Sequence, residues 1–224
     1  MRLSRTLGVV LAAVALTTGG CTRLIDGAAQ ANHAPPPSEI TEDGAGILIG
    51  YPDAAVRIEV FTEPQCPACA RLQEDFGAAM GDYIGQGELA VTYRPLTFLD
   101  RGTDYSARVS NAMFLAAGDG TKGAAFQAFV EDLWGHQQPE GSPGPTDDEL
   151  ADMARESGVG ADQIDKIAAG TEGVDAELMS EQNVDLLREF VLDVGTPTIY
   201  NLVDDEQVDI DDDWLSQLMK RSRN

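Results

Sequence analysis

Two cysteines held two residues apart, in Cys66-Pro67-Ala68-Cys69, constrain this chain more than any other feature. The preceding Val56-Arg57-Ile58-Glu59-Val60-Phe61 is short, β-branched and aromatic, which predicts a strand. Thr62-Glu63-Pro64-Gln65 breaks it, and from Ala68 onward good helix formers place Leu72, Phe76 and Met80 on one face. A helix is therefore predicted to begin near Cys66, with Pro67 at its first position, where a missing N–H costs nothing. A thiol at that point faces unpaired N–H groups and the positive end of the helix dipole, so its thiolate is favoured. Cys66 is then the outer sulfur, able to form a mixed disulfide with a substrate. Cys69, one turn further in, is the buried sulfur that closes or resolves it.

The cysteine count sharpens this. The third cysteine, Cys21, lies near the N-terminus, so Cys66 and Cys69 are expected to pair only with each other, as a redox-active disulfide. A metal site would need two further ligands, and the only histidines are His33 and His136, neither at a familiar spacing. Neither a metal nor another cofactor is expected. Thirty-eight acidic side chains against fifteen basic ones leave a net charge of -23, which repels phosphate backbones and argues against a nucleic-acid partner. The acids read as a heavily solvated surface.

Residues 1–20 have the build of a signal peptide: Arg2 and Arg5, an apolar run from Leu7 to Leu16, then small residues. The run is too short to span a bilayer comfortably. Thr17-Thr18-Gly19-Gly20 directly before Cys21 resembles the lipobox of bacterial-type lipoproteins, with Thr18 departing from the usual Leu, Val or Ile. That resemblance implies diacylation of Cys21 and a protein lipid-anchored to the cell membrane, facing outside the cytoplasm. Residues 21–50, with Pro35-Pro36-Pro37 and neither helical nor strand periodicity, are read as the lipidated N-terminus and a flexible linker. The folded domain is expected over 51–224.

Downstream, Glu88 to Arg94 before Pro95 predicts a second strand, making a β-α-β unit with a parallel pair. Tyr105 to Ala117 and Ala124 to Trp134 carry apolar residues at helical spacing, with Phe129 and Trp134 expected in the core. Thr146-Asp147-Asp148-Glu149 is a capping box that opens another helix. After a helical stretch from Glu177 to Leu192, Gly195-Thr196-Pro197-Thr198 leads into a strand, Ile199 to Val203. In a Cys-x-x-Cys protein this pattern predicts a cis Thr196-Pro197 bond whose neighbouring backbone groups face the cysteines and can pair with an extended peptide. A hairpin over Val203 to Val208 and a closing helix from Trp214 to Met219 complete the reading.

Cys-Pro-Ala-Cys after a strand, a helical insertion, and Gly-Thr-Pro-Thr before a strand together resemble the DsbA-like thioredoxin-fold oxidoreductases of the bacterial envelope, over about Tyr51 to the C-terminus. The resemblance implies an α/β, thioredoxin-like fold with a central mixed sheet and a helical insert at about 104–172. It makes Cys66 the nucleophile, Cys69 the resolving thiol, and Thr196 and Pro197 the substrate platform. It also implies exported proteins with cysteines as partners, together with a membrane redox partner. Relatives often carry an acid six residues before the first cysteine, where this chain has Val60. Glu59 should point to the other strand face, which leaves Glu63 as the substitute acceptor for the inner thiol's proton. Oxidation of substrates is the expected direction, although Ala68 lacks the thiolate stabilisation a histidine would add. Reduction or isomerisation would use the same two sulfurs. A metal- or haem-maturation reductase and a non-enzymatic peptide-binding lipoprotein with a structural disulfide stand as alternatives.

Overall fold

The computed structural model describes residues 34–223. The 1–20 signal segment, Cys21 and His33 lie outside the described residues.

Strand β3 (Val56–Thr62) and strand β4 (Leu89–Pro95) run parallel at the centre of a six-stranded mixed sheet, joined by helix α1 (Pro67–Gly85). Strands β1 (Ser38–Ile40) and β2 (Ile47–Ile49) extend the sheet antiparallel beyond β4. Strands β5 (Thr198–Asn201) and β6 (Glu206–Val208) extend it antiparallel beyond β3, giving the order β1-β2-β4-β3-β5-β6. Period-two alternation sorts β3 onto two faces. Val56, Ile58 and Val60 join the main core under α1, while Phe61 meets Leu96 and Leu187 on the opposite side, with Val184 and Phe190 packed against them. The helix supplying those last residues, α6 (Ala176–Phe190), covers that face.

Between β4 and α6 stand four helices, α2 (Tyr105–Ala116), α3 (Gly123–Gly135), α4 (Asp147–Glu156) and α5 (Ala161–Ala168). Their apolar faces are continuous with the main core, and Phe129 and Trp134 are buried in it. Helix α3 lies close along α1, because Gly77 presents no side chain. A Cβ there would come within 2.5 Å of Glu131 Cγ. The α4 capping box is present: Glu149 N–H donates to Thr146 Oγ1 (3.3 Å), and Thr146 N–H donates to Glu149 Oε2 (2.8 Å). Helix α7 (Trp214–Arg221) closes the α1 side, its Trp214 ring set edge-on to Phe76 at 5.4 Å.

One reading is corrected. The segment expected as linker up to residue 50 supplies β1 and β2. Ile47 and Ile49 are fully buried, and Ser38 Oγ donates to Thr121 O (2.9 Å), so the folded region reaches well upstream of Tyr51. Three-residue strands are too short for alternation to register. They pair with each other, and β2 joins them to the sheet through β4, more than forty residues away.

A candidate dithiol active site

The site forms where β3 ends. A turn closed by Cys66 N–H donating to Glu63 O (3.0 Å) carries the chain from β3 into α1. Cys66 is the N-cap of α1, with φ -76° and ψ 117°, and Pro67 follows at the helix start. The Cys66 carbonyl accepts the first helical bonds, from Cys69 N–H (3.0 Å) and Ala70 N–H (3.2 Å). No side-chain oxygen caps this helix, so the sulfur itself sits among its free N–H groups.

Both cysteines are free thiols in this structure, Cys66 half-buried and Cys69 with 0% exposure. Their acidities are driven apart. The Cys69 thiol, with the Thr196 side chain and the Cys69 and Ala68 backbone N–H groups, pulls Cys66 down from 9.0 to about 5 against its own burial. Burial pushes the Cys69 thiol up, and the neighbouring Cys66 charge adds to the effect. Thiolate stabilisation at Cys66 therefore does not need the histidine missing at Ala68. It comes from the helix start and the partner thiol.

The chain returns to this point 130 residues later. Cys66 Sγ lies 3.3 Å from the Thr196 carbonyl oxygen, and the Thr196-Pro197 peptide is cis, as expected from the Gly-Thr-Pro-Thr pattern. Thr198 Oγ1 donates to Gly195 O (2.8 Å), holding the turn that leads into β5.

The helices after β4 close over the motif with polar contacts that the spacing of residues did not announce. Gln137 Nε2 donates to both Pro64 O (2.8 Å) and Cys66 O (3.0 Å). Gln65 Oε1 accepts from Gly141 N–H (2.8 Å), and its Nε2 donates to Asp100 Oδ1 and Ser106 Oγ, each at 2.9 Å. Asp100 in turn accepts from Ser106 and Ala107 N–H (2.8 and 2.9 Å), satisfying the open end of α2. Nothing in a single chain links Gln65 to Gly141 or Gln137 to Pro64, so these residues were not foreseen.

Among the nearby acids, Glu59 points away from α1, as expected. It is bound by Arg94 through Nη2 (3.0 Å) and Nε (3.2 Å), and Arg94 also holds Asp43 (2.7 Å). Val60 is fully buried beneath α1. Glu63 has 0% exposure beside the dithiol, accepting from Gln65 N–H (2.6 Å) and from the Ser106 hydroxyl. Burial is the chief cause that raises its pKa to about 7. His136 caps the end of α3 and pairs with Asp132 (2.9 Å).

A parallel β-α-β unit with a dithiol at the helix start, a facing Thr-Pro turn and a helical insert define a thioredoxin-fold protein with a dithiol site. A family model described as thioredoxin matches residues 42–221, and the chain belongs to that family. MdbA, a thiol-disulfide oxidoreductase from Corynebacterium matruchotii, superposes with a TM-score of 0.69 at 23% identity, covering 83% of this chain and 92% of that one. Reduced DsbA from Mycobacterium tuberculosis gives 0.59 at 20% identity, covering 85% and 93%. By sequence, the serine/threonine-protein kinase PknE of Mycobacterium tuberculosis is 28% identical over 182 residues, which are 78% of this chain and 31% of the kinase. The chain thus spans about a third of the length of the curated relatives it matches.

Proposed function

We propose that this protein is an exported thiol–disulfide oxidoreductase that forms disulfides in other exported proteins through Cys66 and Cys69. The observation that carries the reading is a half-buried Cys66 at the N-cap of α1, its acidity raised, 3.3 Å from the Thr196 carbonyl and with a buried thiol behind it. In the disulfide form a substrate thiolate attacks Cys66 Sγ, the Cys66–Cys69 bond breaks, and Cys69 leaves and takes up a proton, as its raised pKa favours. A second substrate thiolate then attacks the substrate sulfur of the mixed disulfide and expels Cys66 as a thiolate. A stabilised Cys66 thiolate stabilises the reduced protein, and this favours oxidation of the substrate. Thr196 and Pro197 supply backbone for an extended substrate segment to lie against.

Export rests on the signal-peptide pattern of residues 1–20, and membrane attachment on a lipid at Cys21. A redox partner in the membrane would restore the disulfide. Peptide oxidation followed with the purified protein tests the activity: the parent chain turns over and Cys66→Ser falls to background. Activity surviving in Cys66→Ser removes the mechanism, and an equilibrium constant against glutathione as reducing as that of a dedicated reductase reverses the direction. Mass spectrometry of the mature N-terminus tests the anchor, which fails if the chain starts unmodified away from Cys21.

A further inference from the structure

Thr62, the last residue of β3, carries a hydroxyl for which the fold itself has no use. Side chains alternate along β3, so Thr62 shares the α1 side of the sheet with Val56, Ile58 and Val60, while Phe61 lies on the α6 side. The residue is 1% exposed, and Thr62 Oγ1 has no hydrogen-bond partner among the described residues. A buried hydroxyl left unpaired is destabilising, and a valine would fill the same space without that loss. The group this hydroxyl bears on is the Cys69 thiol, itself fully buried one turn into α1. The Glu63 N–H bears on the same sulfur, and both groups favour a charge there that burial opposes. The main chain around them is already fixed: Thr62 O accepts from Leu96 N–H (2.8 Å), and Glu63 O accepts from Cys66 N–H (3.0 Å).

From this arrangement we infer that Thr62 is a catalytic residue: its hydroxyl, with the Glu63 N–H beside it, receives the negative charge that develops on Cys69 Sγ while the Cys66–Cys69 bond breaks or forms. This deepens the proposed function and rests on attack at Cys66. A substrate thiolate bonds to Cys66 Sγ, and the electron pair of the Cys66–Cys69 bond passes to Cys69 Sγ. That sulfur is sealed from solvent, so without donors its charge would be bare in an apolar setting. Donors fixed in advance accelerate a reaction most when the charge they meet exists only in transit. Such is the case here, because burial favours the protonated Cys69 thiol once the bond is open. Thr62 keeps its own proton throughout and contributes a hydrogen bond only. In the closing step Cys69 attacks Cys66 Sγ of the mixed disulfide and expels the substrate thiolate. It passes through the same arrangement in reverse.

Glutathione serves as the probe. Opening is measured by mixing the disulfide form of the full chain with reduced glutathione at pH 7, and closing by following the protein–glutathione mixed disulfide as it expels glutathione. Both are stopped with acid and read by mass spectrometry of the intact protein. Thr62→Val should slow opening and closing by the same factor, roughly 10- to 100-fold, the contribution of one hydrogen bond to a charged group. Neither the disulfide nor the protonated thiol carries charge on Cys69, so the ratio of the two rates should stay at the parent value. Thr62→Ser retains the hydroxyl and should recover most of the lost rate. The urea midpoint of Thr62→Val should match or exceed that of the parent, because an unpaired buried polar atom has been removed. Parent rates in Thr62→Val, a slowing of one step alone, or a Thr62→Ser as slow as Thr62→Val overturns the inference. So does a lowered urea midpoint in Thr62→Val, which would make the hydroxyl a support of the fold. Peptide mapping of the mixed disulfide is a separate result: glutathione found on Cys69 would overturn attack at Cys66, whatever the Thr62 rates.

Discussion

The sulfur of Cys66 and the carbonyl oxygen of Thr196 lie 3.3 Å apart although 130 residues separate them in the chain. The contact joins the start of α1 to the start of β5. It exists because β3, which delivers Cys66, pairs antiparallel with β5, so the end of one strand lies beside the beginning of the other.

The acidity of Cys66 has a consequence for stability. Its folded-state pKa, about 5, lies below the ordinary 9.0, so the thiolate stabilises the dithiol form fully above pH 9, and this contribution is lost as the pH falls towards 5. Below about pH 8 Cys69 stays mostly protonated folded and unfolded, and Glu63, which feels the Cys66 charge only in the dithiol form, offsets part of this gain without reversing it. The melting temperature of the dithiol form should rise relative to that of the disulfide form between pH 5 and pH 8. Thermal unfolding of both forms at the two pH values checks this, and a constant difference would contradict it.

The Cys69 thiol contributes most to stabilising the Cys66 thiolate. Cys69→Ala should therefore shift the pH dependence of Cys66 alkylation by iodoacetamide upward from about 5, towards the ordinary thiol range. Offered a peptide disulfide, the same variant should accumulate a mixed disulfide, visible on a non-reducing gel, since Cys66 attacks one peptide sulfur and no Cys69 thiol remains to displace the peptide from Cys66. An unmoved alkylation curve would mean that the helix start alone sets the acidity.

Arg94 is buried between Glu59, also buried, and the more exposed Asp43. Replacing it with leucine leaves Glu59 as a buried acid without its partner. Breaking one side of such a pair costs about 3–5 kcal/mol. Asp43→Ala, at the wetter end, should cost about 1 kcal/mol or less. Urea unfolding of the two variants gives the comparison, and equal losses would show that burial does not govern this cluster.

Behind the dithiol, Tyr93 donates to Gln127 Oε1 (2.6 Å), Gln127 Nε2 to Gln73 Oε1 (3.0 Å), and Gln73 Nε2 to Tyr93 (3.3 Å). The three side chains tie β4, α3 and α1 together in a buried ring. Tyr93→Phe keeps the volume but strands polar atoms of both glutamines, at about 1–3 kcal/mol. The midpoint of urea unfolding should fall accordingly.

What could be read in advance follows from distance along the chain. The strand, the N-terminal proline and the helix around Cys66 were legible because each is decided within a few residues, and Thr146 with Glu149 for the same reason. The Thr196-Pro197 geometry was legible only because the cysteine pair gave the proline a meaning. Strands β1 and β2 were not, because Ile47 and Ile49 acquire their partners from β4, and the proline run and neighbouring glycines mask them. The attachment of Gln65 and Gln137 to the site was hidden for a further reason. A glutamine advertises no chemistry, and its role here comes from which carbonyls the folded helices bring within reach. Glu63 stands out in the sequence as an acid beside the motif, but its complete enclosure by Ser106 and its neighbours emerges only in three dimensions.

The near-contact of α1 and α3 at Gly77 reaches beyond packing. It brings the end of α3 close enough for Gln137 to grip the carbonyls on either side of Gln65, so insert and motif are fastened together beside the dithiol. Under the proposed function, a substrate segment would meet a surface tied down at two carbonyls, an arrangement that suits chains still loose enough to bend to it.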